Sequence, residues 1–163
     1  NAFIKAAEIA KNAGRKVALS LSDSFCVNRH RESFLKLVEE YIDILFANED
    51  EITTLYKTSS LNTAIEKLKM KCDLAAITLG EKGSIVVSKS KEINIDPYIL
   101  GKAIDTTGAG DLYAGGFLKG LADGREPAVS AKIGSICAGH IVTQLGSRSN
   151  TDLLNLITSH LEI

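Results

Sequence analysis

Residues 105–118 read DTTGAGDLYAGGFL, and this stretch carries more information about the fold than any other part of the chain. Gly108, Ala109 and Gly110 stand directly before a segment with helical character. Small residues there let the backbone approach an anion, and the free N–H groups and dipole of the helix N-terminus attract negative charge. Asp111 follows at once, where a site for phosphate alone would gain nothing from a carboxylate. We interpret the stretch as an anion hole beside a base, which is the arrangement that phosphoryl transfer to a hydroxyl needs.

Other interpretations of the same stretch can be compared with it. Asp111 could be a helix N-cap and the glycines a tight turn, and composition alone does not separate this alternative from the catalytic one. A Walker-type phosphate loop is excluded because no Lys-Ser or Lys-Thr pair follows the glycines. The dinucleotide fingerprint is excluded because Tyr113 stands where its third glycine would be.

Outward from this stretch, short apolar runs alternate with amphipathic segments, which predicts an α/β fold with a mainly parallel sheet. The strands are expected at Val17–Leu21, Ile42–Ala47 and Leu74–Leu79, with an antiparallel edge hairpin of Ser84–Ser88 and Glu92–Ile95. Helical patterns cover Phe3–Ala10, Glu32–Tyr41, Glu51–Lys57, Thr63–Lys71, Glu126–Leu145 and Thr151–Leu161. Asp23–Cys26 is expected to be a loop. A chain that starts at Asn1 inside a helix, with no strand before it, predicts that an N-terminal part precedes this sequence.

Composition limits the classes of function. The chain has 163 residues, 45% of them hydrophobic and 24% charged, with a formal net charge of −1, which is typical of one globular domain or one lobe of a larger one. A nucleic-acid partner is not expected, because there is no basic excess or stripe. A membrane partner is not expected either, because no apolar run approaches roughly 18 residues. The three cysteines are too scattered for a disulfide framework, which favours the cytoplasm.

Three further segments occur in an order that is informative together with residues 105–118. The second strand leads into Asn48-Glu49-Asp50-Glu51, the third into Thr78-Leu79-Gly80-Glu81-Lys82-Gly83, and residues 143–148 read TQLGSR. Taken alone, Asn48 and Glu51 are more typical of a helix cap and a first-turn carboxylate, and two glycines after a strand are typical of any tight turn. With DTTGAGD, they resemble the ribokinase-like (PfkB) family of carbohydrate and nucleoside kinases, over the C-terminal half of the family's usual length.

The resemblance implies a three-layer ribokinase-like fold in which residues 1–163 form the C-terminal nucleotide-binding part of a kinase domain, without the N-terminal part and lid. It also implies a role for each matching residue. The expected catalytic group is Asp111 as base with the backbone N–H groups of Gly108, Ala109 and Gly110. The expected nucleotide contacts are Thr78, Gly80, Gly83 and Ser135, which lies eleven residues before Gly146. The expected metal sites are Asn48 and Glu51 for Mg²⁺, and Asp105 with carbonyls of Thr107, Gln144 and Gly146 for a K⁺-type ion.

The implied cofactors are ATP and Mg²⁺, with K⁺ as a further candidate, and the implied partner is a small-molecule nucleoside or sugar. The stretch YIDILFANE at residues 41–49 and LSLS at residues 19–22 resemble the adenosine kinase branch more than ribokinases or fructokinases. A sugar kinase of the ribokinase or fructokinase type stays an alternative. So does a nucleotide-binding fragment that is inactive without its N-terminal half. The oligomeric state is expected to be a monomer or a homodimer.

Overall fold

The computed structural model describes residues 2–161, which fold into alternating strands and helices. The strands are β1 (Ala18–Ser20), β2 (Ile44–Asn48), β3 (Leu74–Thr78), β4 (Ser84–Ser88) and β5 (Glu92–Ile95). The helices are α1 (Ala2–Asn12), α2 (Ser24–Arg29), α3 (Arg31–Glu40), α4 (Glu49–Tyr56), α5 (Leu61–Lys69), α6 (Ala109–Ala122), α7 (Pro127–Ile141) and α8 (Leu153–His160). Within residues 2–161, no helix is both long enough and apolar enough to cross a bilayer.

The five strands form one sheet in the order β1-β2-β3-β4-β5. The strands β1, β2 and β3 are parallel, and Asn48 is in register with Thr78 at the carboxyl ends of β2 and β3. A three-residue connection joins β4 to β5, and such a short connection requires an antiparallel pair. The N–H of Ser88 donates to the carbonyl of Lys91 at 2.8 Å to close this hairpin. The predicted α/β fold with a mainly parallel sheet and an edge hairpin is therefore confirmed.

The chain divides into two compact units. The first runs up to Leu79 and includes Ile85–Ile93. Its core lies between the central strands and the helices that connect them, because these strands carry apolar side chains almost continuously. Leu45 of β2 and Ile77 of β3 are fully buried, as are Ile52 of α4 and Leu68 of α5. A β-strand buried on both faces has this composition.

The second unit contains Gly80–Ser84 and the residues from Asn94 onward. Its two long helices, α6 and α7, approach closely because small residues line their contact. A Cβ added at Gly116 of α6 would lie 3.0 Å from the Sγ of Cys137, and one at Gly120 would lie 2.7 Å from the Oγ of Ser130. The buried ring of Phe117 fills the core beside this contact. The residues between α7 and α8 form an extended loop.

The secondary structure of two segments differs from the one that the sequence predicted. Asp23–Cys26 is not a loop, because Asp23 caps α2: its Oδ1 accepts a hydrogen bond from the N–H of Phe25 at 2.6 Å. The short helix is held to the unit by the fully buried Val27. The helix predicted to extend to Leu145 ends at Ile141, so the segment that follows α7 is free to form a loop.

Candidate active site

The N-terminus of α6 begins at a residue that only glycine fits easily. Gly108 is the N-cap with φ 82° and ψ 0°, which is left-handed backbone. A Cβ at this position would lie 2.6 Å from the Cβ of Ser147 and 2.9 Å from its Cα, so the loop after α7 packs directly on Gly108. Two segments that the sequence places far apart, DTTGAGD and TQLGSR, are thereby brought together.

At the start of α6, one backbone N–H group is hydrogen-bonded within the chain and the next two are free to bind a ligand. The N–H of Ala109 donates to the carbonyl of Thr106 at 3.1 Å, so the role expected of Ala109 would require this hydrogen bond to break. Gly110 and Asp111, at the second and third helical positions, are among the first N–H groups of a helix, which have no partner inside it. Apart from its chain neighbours and the backbone of its own helix, a Cβ at Gly110 would have no atom of residues 2–161 within 4 Å. The geometry therefore leaves open space and free donors for an anion at Gly110.

Asp111 lies in the first turn of α6 and is exposed. The alternative in which Asp111 caps the helix is wrong, because Gly108 is the N-cap and Asp111 is the third residue of α6. Among residues 2–161, no hydrogen bond or ion pair reaches the Asp111 carboxylate. The side chain is therefore available to a proton donor from outside the chain.

Asp105 holds the anion-hole loop and the loop after α7 together. Its Oδ1 accepts from the N–H of Thr107 at 2.9 Å, and its Oδ2 accepts from the N–H of Gly146 at 2.9 Å. The Gly146 N–H, followed by the N–H and side chain of Thr107, lowers the pKa of Asp105 below its usual range. The structure thus brings together three residues of the predicted K⁺-type site. Gln144 lies in the same loop, where its Nε2 donates to the carbonyl of Arg148.

The predicted nucleotide loop begins at Thr78, the last residue of β3, in the first unit. Its glycines belong to the second unit and have left-handed backbone, with φ 61° at Gly80 and 89° at Gly83. A Cβ at Gly83 would lie 2.1 Å from the carbonyl oxygen of Ile95, so no other residue fits there without displacing the backbone. Gly80, by contrast, faces open space.

Ser135 lies on α7 and is only 7% exposed. Its neighbour Gly134 packs on α6, where an added Cβ would lie 2.7 Å from the carbonyl oxygen of Tyr113. The side chain expected beside the adenine is thus nearly enclosed within the second unit.

Asn48 and Glu51 form a reciprocal capping box at the start of α4. The Asn48 Oδ1 accepts from the Glu51 N–H at 2.8 Å, and the Glu51 carboxylate accepts from the Asn48 N–H at 2.9 Å and its Nδ2 at 3.0 Å. Burial raises the pKa of Glu51, against the hydrogen bond from Asn48, and the nearby Asp23 and Asp50 raise it further. The structure therefore confirms that Asn48 is a helix cap and that Glu51 is a carboxylate in the first turn of α4.

The donor set around Glu51 fits Mg²⁺ only through water. The side chain is 6% exposed and both of its oxygens already accept hydrogen bonds. Residues 2–161 contain no group of three or more His, Cys, Asp or Glu side chains arranged for a metal ion. Mg²⁺ retains several waters and needs few carboxylates, so the negative charge of Asp23, Asp50 and Glu51 can attract the hydrated ion.

Comparison with known proteins identifies the family. The family model described as pfkB family carbohydrate kinase matches residues 1–153. The chain belongs to the pfkB family. An adenosine kinase from Sinorhizobium meliloti is 43% identical with a TM-score of 0.94, over 97% of this chain and 49% of that one. A probable sugar kinase from Rhizobium etli is 36% identical with a TM-score of 0.94, over 97% and 48%. A nucleoside kinase from Methanocaldococcus jannaschii is 32% identical over 132 residues, which are 81% of this chain and 43% of that protein.

The chain therefore spans about half the length of the pfkB proteins that it matches. These likenesses confirm the predicted family and the ribokinase-like fold. The roles of individual residues stay predictions, because they depend on bound molecules.

Some contacts of this pfkB chain have no signal in its sequence. The hydroxyls of Ser84 and Tyr113 are hydrogen-bonded at 2.8 Å, although the residues are 29 positions apart. The Nε2 of His140 on α7 is hydrogen-bonded to the Oγ of Ser149 at 3.0 Å, across the start of the following loop. Neither pair falls within a motif, so only the three-dimensional arrangement of the second unit reveals them.

Proposed function

We propose that the full-length protein is an ATP-dependent kinase that transfers the γ-phosphoryl group to a hydroxyl of a nucleoside, adenosine or a close relative. The observation that carries this proposal is the first turn of α6. It combines free backbone N–H groups, open space at Gly110 and the unpaired, exposed carboxylate of Asp111. A site that only bound phosphate would not benefit from a carboxylate at this point.

The N-terminus of α6 would stabilise the charge on the transferred phosphoryl group. A helix of 14 residues presents its dipole and its unbonded N–H groups at this end. Donors held in place before the reaction stabilise developing charge without further reorganisation. Here the left-handed Gly108 and the two hydrogen bonds accepted by Asp105 hold the loop in one geometry.

Asp111 would act as the base. The acceptor hydroxyl oxygen forms a bond to the γ-phosphorus, and the bond from that phosphorus to the β,γ-bridging oxygen breaks. The hydroxyl proton passes to Asp111, and ADP leaves with the electron pair. A carboxylate is a weak base, but it suffices if the leaving-group bond is largely broken before the proton moves.

The remaining roles follow the family pattern. We assign Thr78, Gly80, Gly83 and Ser135 to the nucleotide. We assign Asn48 and Glu51 to Mg²⁺ through water, in agreement with the donor chemistry above, and Asp105 with carbonyls of Thr107, Gln144 and Gly146 to a K⁺-type ion. When bound, Mg²⁺ would neutralise charge on the phosphates.

A nucleoside acceptor is favoured by the likeness to the Sinorhizobium meliloti adenosine kinase at 43% identity. The likeness to the Rhizobium etli probable sugar kinase at 36% keeps a sugar acceptor as the second candidate. The buried free thiols of Cys72 and Cys137 support a reducing cytoplasmic setting, and we expect a monomer or a homodimer.

A phosphorylation screen of the natural full-length protein tests the proposal. ATP and MgCl₂ would be supplied with adenosine, ribose or fructose, and ADP release would be followed with the acceptor-free reaction as control. We expect acceptor-dependent ADP release that is greatest with adenosine. Greater release with a sugar would establish the second candidate, and ATP binding without release in any reaction would support a nucleotide-binding protein. The 163-residue chain, assayed in parallel, would show whether it acts alone.

A further inference from the structure

A buried hydrogen bond joins the strand that follows the nucleotide loop to the helix that begins at the anion hole. The hydroxyls of Ser84 and Tyr113 lie 2.8 Å apart, and the two residues are 2% and 3% exposed. Burial raises the pKa of Tyr113 to about 12, against the hydrogen bond with Ser84. The phenol is therefore protonated at neutral pH, which the hydrogen bond between the two hydroxyls requires.

The two ends of this hydrogen bond lie next to the proposed site. Ser84 directly follows Gly83, whose backbone has no room for a side chain beside Ile95. Tyr113 lies two residues after Asp111 on α6. Motion of either hydroxyl is thus transmitted along only one or two residues to a group that would contact the nucleotide or the reacting phosphoryl.

Tyr113 is itself fixed from the other side. Its ring and backbone lie against Gly134 of α7, where an added Cβ would be 3.2 Å from the ring and 2.7 Å from the carbonyl oxygen. Its ring also stacks on that of Phe117, with centroids 6.2 Å apart. With the ring held in this way, the phenol is a rigid point of attachment for Ser84.

We propose that Tyr113 is a positioning residue whose hydrogen bond to Ser84 sets the distance between the Gly80–Gly83 loop and the first turn of α6. This inference rests on the proposed function, because that distance matters only if one nucleotide contacts both elements. A misplacement of about 1 Å at a distance from the chemistry can lower a rate by about 10²-fold. A fixed distance between the two elements would therefore contribute directly to ATP use.

A purely structural role would give a different result, and a double-mutant design separates the two. Removing one hydroxyl leaves the other buried without a partner, which destabilises the fold, whereas removing both is nearly neutral. If the hydrogen bond only stabilises the fold, the double variant should regain both the parental Tm and the parental KM for ATP. If the hydrogen bond positions the Gly80–Gly83 loop, the KM for ATP of the double variant should stay raised although its Tm is restored.

The experiment compares Tyr113→Phe, Ser84→Ala and the double variant in the natural full-length protein. We expect each single variant to lose about 3–10 °C in Tm and the double variant to lose less than either. We expect all three to raise the KM for ATP about 3- to 10-fold, with a smaller change in the KM for the acceptor. Tyr98→Phe is the matched control, since it removes a different phenol hydrogen bond, to His160 at 2.9 Å, and should leave the KM for ATP unchanged.

Each outcome decides between the alternatives. A double variant with restored Tm and the parental KM for ATP would overturn the positioning role while leaving the proposed function intact. If the parent turns over no acceptor, the Kd for ATP from calorimetry replaces KM, with the same expectation for the variants. A parent that binds no ATP would overturn both the proposed function and this inference. Should the single variants fail to fold, the double variant alone still gives the decisive comparison.

Discussion

Replacing Gly108, the N-cap of α6, by alanine should destabilise the loop that forms the candidate anion hole. The residue has φ 82°, and left-handed backbone costs a residue with a side chain about 1–2 kcal/mol. The new Cβ would also lie 2.6 Å from the Cβ of Ser147, and overpacking of this kind costs about 1–3 kcal/mol. Gly108→Ala should therefore lower the free energy of unfolding by about 2–5 kcal/mol.

Two glycines within α6, Gly110 and Gly115, provide matched comparisons. Gly115 is exposed and an added Cβ there meets nothing within 4 Å beyond its own helix backbone, so Gly115→Ala should raise the free energy of unfolding by about 0.5–1 kcal/mol and leave turnover unchanged. Gly110 has the same open space, but at the proposed anion hole. Gly110→Ala should therefore retain stability and lose turnover, because its methyl group occupies the space of the phosphoryl group.

Urea denaturation and steady-state kinetics of the three variants, in the natural full-length protein, test this reasoning. The expected pattern is loss of both properties in Gly108→Ala, loss of turnover alone in Gly110→Ala, and loss of neither in Gly115→Ala. Equal stability of Gly108→Ala and Gly115→Ala would refute the steric argument. Parental turnover in Gly110→Ala would show that no phosphoryl group occupies that space.

Three further predictions concern contacts around the site. Glu51→Ala removes the acceptor of the capping box and should lower the free energy of unfolding in urea by about 1–3 kcal/mol, whereas the exposed Glu49→Ala should change it by less than about 0.5 kcal/mol. Asp105→Asn should be less stable than the parent at neutral pH. Because folding lowers the pKa of Asp105, its stabilisation is present above the ordinary value of 3.8 and is lost as pH falls through the folded-state pKa. His140→Ala should speed amide hydrogen exchange in the loop between α7 and α8, and His140→Gln, which retains an N–H donor, should restore protection.

Each of these predictions has a result that contradicts it. Equal losses for the two glutamate variants would mean that the capping box contributes nothing specific. A constant difference between the parent and Asp105→Asn from pH 7 to pH 3 would show that the carboxylate charge is not what the loop uses. Unchanged exchange in His140→Ala would show that other contacts hold the loop.

The strands were predictable because their apolar runs reflect burial on both faces, and the hairpin at Ser84–Ser88 and Glu92–Ile95 has the predicted bounds. The helix α2 was not predicted, because six residues give too little periodicity. Its only signal is the capping residue Asp23. The end of α7 was overestimated by four residues, since residues 142–145 contain neither glycine nor proline to end a helix, and the tertiary contacts of the loop override the local pattern.

In the candidate site as well, some features could be predicted from the sequence and others could not. Gly108 and Gly110 could be identified from the sequence because their role depends only on neighbouring residues. Small residues directly before and at the start of a helix let the backbone approach an anion. The hydrogen bond between Asp105 and Gly146 spans 41 positions, and the resemblance to a family grouped these residues without indicating the bond. The occupied N–H of Ala109 depends on the conformation of Thr106, which no spacing rule predicts.

The most direct test of the central claim is the turnover of Asp111→Asn in the natural full-length protein. Asparagine retains the shape of the side chain and the backbone N–H groups of α6, and it removes the proton acceptor together with its negative charge. We predict that turnover falls by roughly 10²–10⁴, the range for loss of a general base, while the Kd for ATP changes little. Turnover within about threefold of the parent, in a variant that melts like the parent, would rule out Asp111 as the base.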